Sequence, residues 1–180
     1  MDTELSLLQA ARRMDQQALV TIFDRYAADI YNFAMSMWND SLKADRIVGD
    51  VFANFLEQLE TGKIPKKNLR AYFFKTAYHF MVDGSRLPSR ESQINFTDFT
   101  SDTANGNHSN TSSPEMDAVI LAIKDHLTTN QRDVIILRYL QGFSLPEIAE
   151  IVEKEINNVK AIQKRAIDKL CDVLDQKVST

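Results

Sequence analysis

The sequence predicts an all-α protein of two small helical domains joined by a flexible acidic linker, and three observations carry that reading. Apolar residues recur at three- and four-residue steps with little apolar–polar alternation, the period of helices rather than strands. Turn punctuation is sparse, with 5 Gly and 4 Pro in 180 residues. One polar stretch, "FTDFTSDTANGNHSNTSSPEMD", interrupts the helical pattern and holds hardly an aliphatic residue. It cannot bury enough apolar surface to offset its ordering entropy, so it reads as a linker. The expected division is a first domain at 1–86, a linker at 87–114 and a second domain at 115–180.

Each element has a local reason. Residues 3–13 form a short amphipathic opener. Asp15 is the expected N-cap of "QQALVTIFDRYAADIYNFAMSMW", whose Leu19, Phe23, Tyr26, Ile30 and Phe33 share one face. Ser41 is expected to cap "LKADRIVGDVFANFLEQLE", with Ile47, Val51, Phe55 and Leu59 in register. "TGKIPKK" is a turn, and "NLRAYFFKTAYHFMVDGSR" is a helix expected to end near Gly84. In the second domain Ser113 caps and Pro114 opens "SPEMDAVILAIKDHL". "TTNQRDVIILRYLQG" is expected as one helix with Gly142 in the place of a C-cap. Ser144 and Glu147 then form a capping-box signature. Ile148, Ala149 and Val152 of that helix would face Val159, Ile162 and Ala166 of the next, making a helical hairpin.

Composition narrows the function class. Hydrophobic content of 44% and charged content of 26% are those of a globular protein. No run of 18 apolar residues is present, so no membrane insertion is expected, and "MDTELSLLQAARR" is unlike a secretory signal. Cys171 is the lone cysteine and is expected to be a small buried hydrophobe in a reducing cytoplasm. His79, His108 and His126 are scattered, with no metal-ligand spacing, phosphate loop or nucleophile motif. The expectation is therefore no enzyme, no cofactor and no metal. The net charge of −4 is uneven: 1–86 and 118–180 each balance, while 87–117 holds Arg90 against Glu91, Asp98, Asp102, Glu115 and Asp117. Local patches, not the overall charge, decide nucleic-acid binding.

Two patches qualify. In the first, Lys63, Lys66, Lys67, Arg70, Lys75 and Arg86 interleave with Tyr72, Phe73, Phe74, Tyr78, His79 and Phe80. Cations can track phosphates while rings stack on unpaired bases. Core packing is the expected place of Phe73, Phe74 and Phe80. Tyr72, Lys75 and His79 share one stripe, and both readings stay open there. In the second, the face opposite Val159, Ile162 and Ala166 carries Asn157, Asn158, Lys160, Ala161 and Lys164, with Arg165 beyond and Ser144 at the hairpin's start. Asparagine suits base edges and lysine suits phosphates. Alone, that face reads rather as a solvated amphipathic helix.

Together the pieces resemble the extracytoplasmic-function sigma factors of the sigma-70 family, over nearly the whole chain. "FDRYAADIYNFA" is similar to the first helix of the family's sigma-2 domain, and "ADRIVGDVFANFLEQL" to its polymerase-binding helix. "LRAYFFKTAYHFMVDGSR" resembles the family's last sigma-2 helix, with Ala77, Asp83 and Arg86 matching. "LTTNQRDVIILRYLQGFSLPEIAEIV" and "NNVKAIQKRAIDKL" resemble the sigma-4 helix-turn-helix. The resemblance implies a promoter-specificity subunit in the cytoplasm, nucleoid-associated when bound to polymerase. It implies binding to the β′ clamp helices of core RNA polymerase through Asp45, Arg46, Val48, Gly49, Asp50, Phe52 and Phe55. It implies capture of melted −10 DNA through Lys63, Lys66, Lys67, Asn68, Tyr72, Lys75, His79 and Arg86. The −35 duplex would fall to Ser144, Asn157, Asn158, Lys160, Ala161, Lys164 and Arg165, beside the β flap, and an anti-sigma factor is the implied regulator.

The chain departs from the family pattern at several positions. Gly49 and Arg46 replace a usual glutamine and acid, Tyr72 a common tryptophan, and Glu153 the turn glycine. A nonglycine at 153 must either bear a left-handed backbone or widen the turn. Two other readings remain: a stand-alone helix-turn-helix regulator of palindromic operators, and a sigma-like decoy that occupies polymerase without initiating.

Overall fold

The computed structural model describes residues 3–64, 68–83 and 114–178. The chain divides into two compact units, Met1–Ile94 and Asn95–Thr180. Every described secondary-structure element is helical, so the all-α class holds. The first unit contains α1 (Thr3–Ala11), α2 (Gln16–Trp38), α3 (Ser41–Thr61) and α4 (Leu69–Asp83). The second contains α5 (Pro114–His126), α6 (Thr129–Ile135), a π-helical turn (Ile136–Leu140), α7 (Leu145–Ile151) and α8 (Ile156–Val178). The expected linker, 87–114, lies outside the described residues apart from Pro114, and so do the expected Ser113 cap and the helix end at Gly84.

In the first unit α3 packs against both α2 and α4. Contact on two sides widens its buried arc, so Ala44, Val48 and Phe52 are buried along with the expected Ile47, Val51, Phe55 and Leu59. Phe73 is fully buried and centres an aromatic cluster. Its ring lies 5.0 Å from Tyr26, 5.0 Å from Phe52 and 4.9 Å from Phe55. Tilted aromatic pairs at such distances add to burial that itself contributes about 1.5–3 kcal/mol per large side chain. Phe33 and Phe74 form a second pair at 5.1 Å. Phe73 and Phe74 thus take their expected places, whereas Phe80 is half-buried and Met81 lies inside instead. On α2, Leu19 and Phe23 are only half-buried, because Ala18 and Ile22 take the innermost positions.

The helix ends correct one expectation and sustain others. Asp15 caps α2 by accepting from the Ala18 amide at 2.8 Å. At α3 the cap is Asp40, not Ser41: its carboxylate accepts from the Lys43 amide at 3.1 Å, and Ser41 is already helical. Asp and Ser cap about equally well, so adjacent candidates are separated only by where the backbone turns. Gly62 ends α3 with φ 70.

In the second unit, Leu127, Ile135 and Ala166 form a core against which Ile123, Ile167 and Leu170 pack, whereas Cys171, expected inside, is exposed one residue beyond Leu170. The expected single helix from 128 to 142 is instead α6 followed by the π-helical turn. Its start is a full capping box between Thr128 and Gln131. Gly142 has φ 71 and follows the last turn, as a glycine after a helix end should.

Candidate nucleic-acid and protein interfaces

The helical hairpin is built from local signals. The Ser144 hydroxyl accepts from the Glu147 amide at 3.5 Å and donates to Glu147 Oε2 at 2.7 Å, while the Ser144 amide donates to the same oxygen at 2.9 Å. Ser144 is thus engaged with its own helix start. At the far end of α7 the Lys154 amide donates to the Ala149 carbonyl at 3.0 Å, and Glu153 has φ 51. This is a Schellman-type ending with a glutamate in the glycine's place. The question of the corner is answered: the backbone turns left-handed.

Across that corner Ile148, Ile151 and Val152 are buried, as are Val159, Ile162 and Ala166 of α8. Ala149 is only half-buried, so Ile151 fills the inner position expected of it. On the outer side of α8, Asn157, Asn158, Lys160, Lys164 and Arg165 are exposed and Ala161 is half-buried. Among the described residues of this face, sequence reasoning omitted Gln163, whose amide donates to the exposed Tyr139 hydroxyl at 3.0 Å. Tyr139 belongs to the π-helical turn, so this bond joins that turn to α8. A hydrogen bond across 24 residues leaves no periodic trace in sequence.

The expected polymerase-binding residues divide by depth. Asp45 and Arg46 are exposed, Gly49 and Asp50 are half-buried, and Val48, Phe52 and Phe55 belong to the core. Arg46 Nε pairs with Asp50 Oδ2 at 3.7 Å. Burial raises the Asp50 carboxyl above its ordinary value, and Arg46 opposes that shift. A Cβ at Gly49 would meet nothing within 4 Å, so this glycine answers no packing need among the described residues. Leu42 is 81% exposed at the start of the same helix.

On α4, Tyr72, Lys75 and His79 are all half-buried, so the stripe is neither core nor fully solvated. The Tyr72 hydroxyl accepts from Asn54 Nδ2 at 3.2 Å, and its ring lies 6.2 Å from that of Phe55. Burial raises the phenol above 10.0, with Thr76 and Asn54 opposing. Asn68 is exposed with φ 59, and its Oδ1 accepts from the Ala71 amide at 3.1 Å. Lys63 is exposed, whereas Lys66, Lys67 and Arg86 lie outside the described residues. Sequence reasoning also missed two groups on or just after α1 that hold the stretch before α4. Glu4 Oε1 accepts from the Leu69 amide at 2.8 Å, and Arg12 Nη2 donates to the Ile64 carbonyl at 3.3 Å. Arg70 stands 5.0 Å over the Phe74 ring, which makes it a packing cation.

Among the described residues no group of three or more His, Cys, Asp or Glu side chains converges on a metal-sized site. No described helix is long and apolar enough to cross a membrane.

Comparison with known proteins follows this geometry. Residues 125–171 match the family model described as "Sigma-70, region 4". The chain is 25% identical over 158 residues to the ECF RNA polymerase sigma factor SigX of Bacillus subtilis, covering 84% of this chain and 81% of that one. Among solved structures it is similar to CnrH in complex with the cytosolic domain of CnrY, at TM-score 0.70 and 22% identity over 97% of this chain and 99% of that one. It is also similar to the sigma factor RpoE in complex with the anti-sigma factor NepR from Bartonella quintana, at TM-score 0.61 and 23% identity, covering 89% and 96%. At such identities the structural likenesses speak for the two-unit helical fold.

Proposed function

We propose that the chain, whose residues 125–171 match sigma-70 region 4 and which is similar to the relatives above, is a sigma-70 family factor of the extracytoplasmic-function type that directs core RNA polymerase to promoters by reading −35 as duplex and −10 as melted strand. Factors of this family are non-enzymatic initiation factors. The observation that carries the promoter reading is the outer face of α8. Asn157, Asn158, Lys160, Lys164 and Arg165 stand exposed on the second helix of a hairpin whose inner face is fully packed. Such a helix, entering the major groove by its N-terminal turns, brings amides to base edges and cations to phosphates. Ala161 adds a small apolar contact, and Ser144 fixes the helix before it.

In this reading unit 1 is the sigma-2 part. The outward Asp45, Arg46, Gly49 and Asp50 dock on the β′ clamp helices, while Val48, Phe52 and Phe55 hold that helix on the core. Lys63, Lys66, Lys67, Asn68, Tyr72, Lys75, His79 and Arg86 receive the −10 strand. Flipping a base costs a few kcal/mol of unstacking, which ring stacking and phosphate contacts offset. Unit 2 is the sigma-4 part, which also meets the β flap, and residues 87–114 link the two. An anti-sigma factor regulates the chain, which acts in the cytoplasm and joins the nucleoid with polymerase. The test is run-off transcription with core polymerase over a promoter library, beside a gel shift without polymerase. Transcripts from a shared −35/−10 pair are expected. A shift without polymerase would instead support an autonomous regulator, and core binding without transcripts a decoy.

A further inference from the structure

Asn54 sits within α3, an interior helix position where asparagine is a poor helix former. Its side chain is half-buried and reaches α4, where Nδ2 donates to the Tyr72 hydroxyl at 3.2 Å. The same ring lies 6.2 Å from Phe55 and 5.6 Å from Phe73, both fully buried. Tyr72 therefore has a wall on its inner side and a fixed tip, yet stays partly exposed beside half-buried Lys75 and His79. Its phenol is raised above 10.0 by burial, so the hydroxyl keeps its proton near neutral pH. Tryptophan at this position would have a different tip chemistry: an indole only donates, so it could not accept from Asn54 Nδ2 as the phenol does.

We propose that Asn54 is a positioning residue that holds the Tyr72 ring in its strand-stacking orientation, and that the pair acts as one unit in capturing melted −10 DNA. This rests on the reading that Tyr72 meets the unpaired strand. Asn54 touches no nucleic acid in it. A ring that swings freely before capture must be immobilised by the incoming base, and that ordering weakens binding. A ring already held by Phe55 and Asn54 avoids most of the loss. Asn54 lies one turn beyond Asp50 on the helix that presents the polymerase-facing residues, so strand capture and polymerase docking share a single rigid element.

The experiment uses the full chain with core polymerase and a fork-junction DNA whose −10 strand is unpaired, with affinity for the core and for −35 duplex measured alongside. Asn54→Ala and Tyr72→Phe are each expected to weaken strand capture roughly three- to tenfold, the range for one freed side chain. The double variant should be no weaker than either alone, because both remove the same bond. Core and −35 affinities should stay level throughout. Unchanged capture in Asn54→Ala, or an equal further loss when it is added to Tyr72→Phe, overturns the proposal. Tyr72→Phe tests the same bond from the other side if Asn54→Ala does not fold. Tyr72→Ala separates the two ideas: intact capture there removes the −10 reading itself, whereas lost capture with a silent Asn54→Ala removes the positioning role alone.

Discussion

Glu153 and Gly49 are a mismatched pair: a side chain where the backbone favours glycine, and a glycine where the backbone favours a side chain. At φ 51 Glu153 bears a left-handed conformation that costs an L-residue roughly 1–2 kcal/mol, more than glycine's extra ordering entropy. Glu153→Gly is therefore expected to stabilise the second unit by about 0.5–1 kcal/mol, read as a higher denaturant midpoint at unchanged m-value. Gly49 is helical with open space around its missing Cβ, so Gly49→Ala should stabilise the first unit by about 0.5–1 kcal/mol. The same substitution places a methyl on the proposed polymerase face; a stabilised variant with weaker core affinity would mark close approach of a partner there. Asp40 gives a pH signature. Its carboxyl is held below 3.8, first by the Lys43 amide, so the cap contributes stability that is full above 3.8 and is lost as pH falls through the lower folded value. A carboxyl NMR titration should show Asp40 protonating below the ordinary aspartate range. These features were unequally legible. Position 153 announced its strain because a family pattern put glycine there, but nothing in sequence chose between left-handed backbone and wider turn. Asp40 and Ser41 were indistinguishable as caps, since both side chains accept hydrogen bonds from a helix start.

Elements were legible where their signals are local. The Ser144–Glu147 box, Asp15 and Gly142 each act within a few residues of their own position, so a short stretch contains the whole cause. Elements defined by distant partners were not. Periodicity placed α3 on a core but gave one stripe, because it cannot tell that α2 and α4 both press on it. Val48 and Phe52 therefore fell outside the expected stripe while the fold buries them. The π-helical turn at 136–140 was invisible for a related reason: its wider turn preserves the apolar residues and changes only their register. The first helix shows the longest reach. Glu4 accepts from the amide of Leu69, the first residue of α4, across 65 positions. A carboxylate there satisfies an orphan donor and faces the positive end of the helix dipole. Glu4→Ala should cost about 1 kcal/mol of stability in the first unit, within the range for a lost helix cap. It should also speed hydrogen exchange at Leu69 relative to Phe73 deeper in the helix. Equal protection at Leu69 in both proteins would show that α1 does not hold this end of α4.

At the scale of the whole chain, charge is divided rather than merely negative. The excess of acids falls in 87–117, while the two stretches around it balance. A stretch of balanced charge that binds DNA must do so through a local face, and its long-range attraction is weak. In the proposed function the exposed Lys160, Lys164 and Arg165 would carry the phosphate contacts, and the exposed Asn157 and Asn158 would carry base readout. The two groups should separate experimentally on polymerase-bound promoter DNA. Each cation that neutralises one phosphate releases counterions and steepens the log–log salt dependence by about 0.9. Replacing Lys160, Lys164 or Arg165 by alanine should flatten that slope by about 0.9 each and weaken all promoters alike. Asn157→Ala or Asn158→Ala should leave the slope unchanged and lose about 1–3 kcal/mol of discrimination at one base position, a roughly 5- to 150-fold change confined to promoters carrying that base. The acids of 87–117 serve as a control in the same measurement. If they occupy the polymerase channels as a mimic of nucleic acid, replacing Glu91, Asp98, Asp102, Glu115 and Asp117 with Ser or Asn should alter initiation or promoter escape without touching the −35 salt slope. Normal initiation and escape in that variant would leave the linker a tether only. A changed slope would mean that its charge acts on the promoter itself.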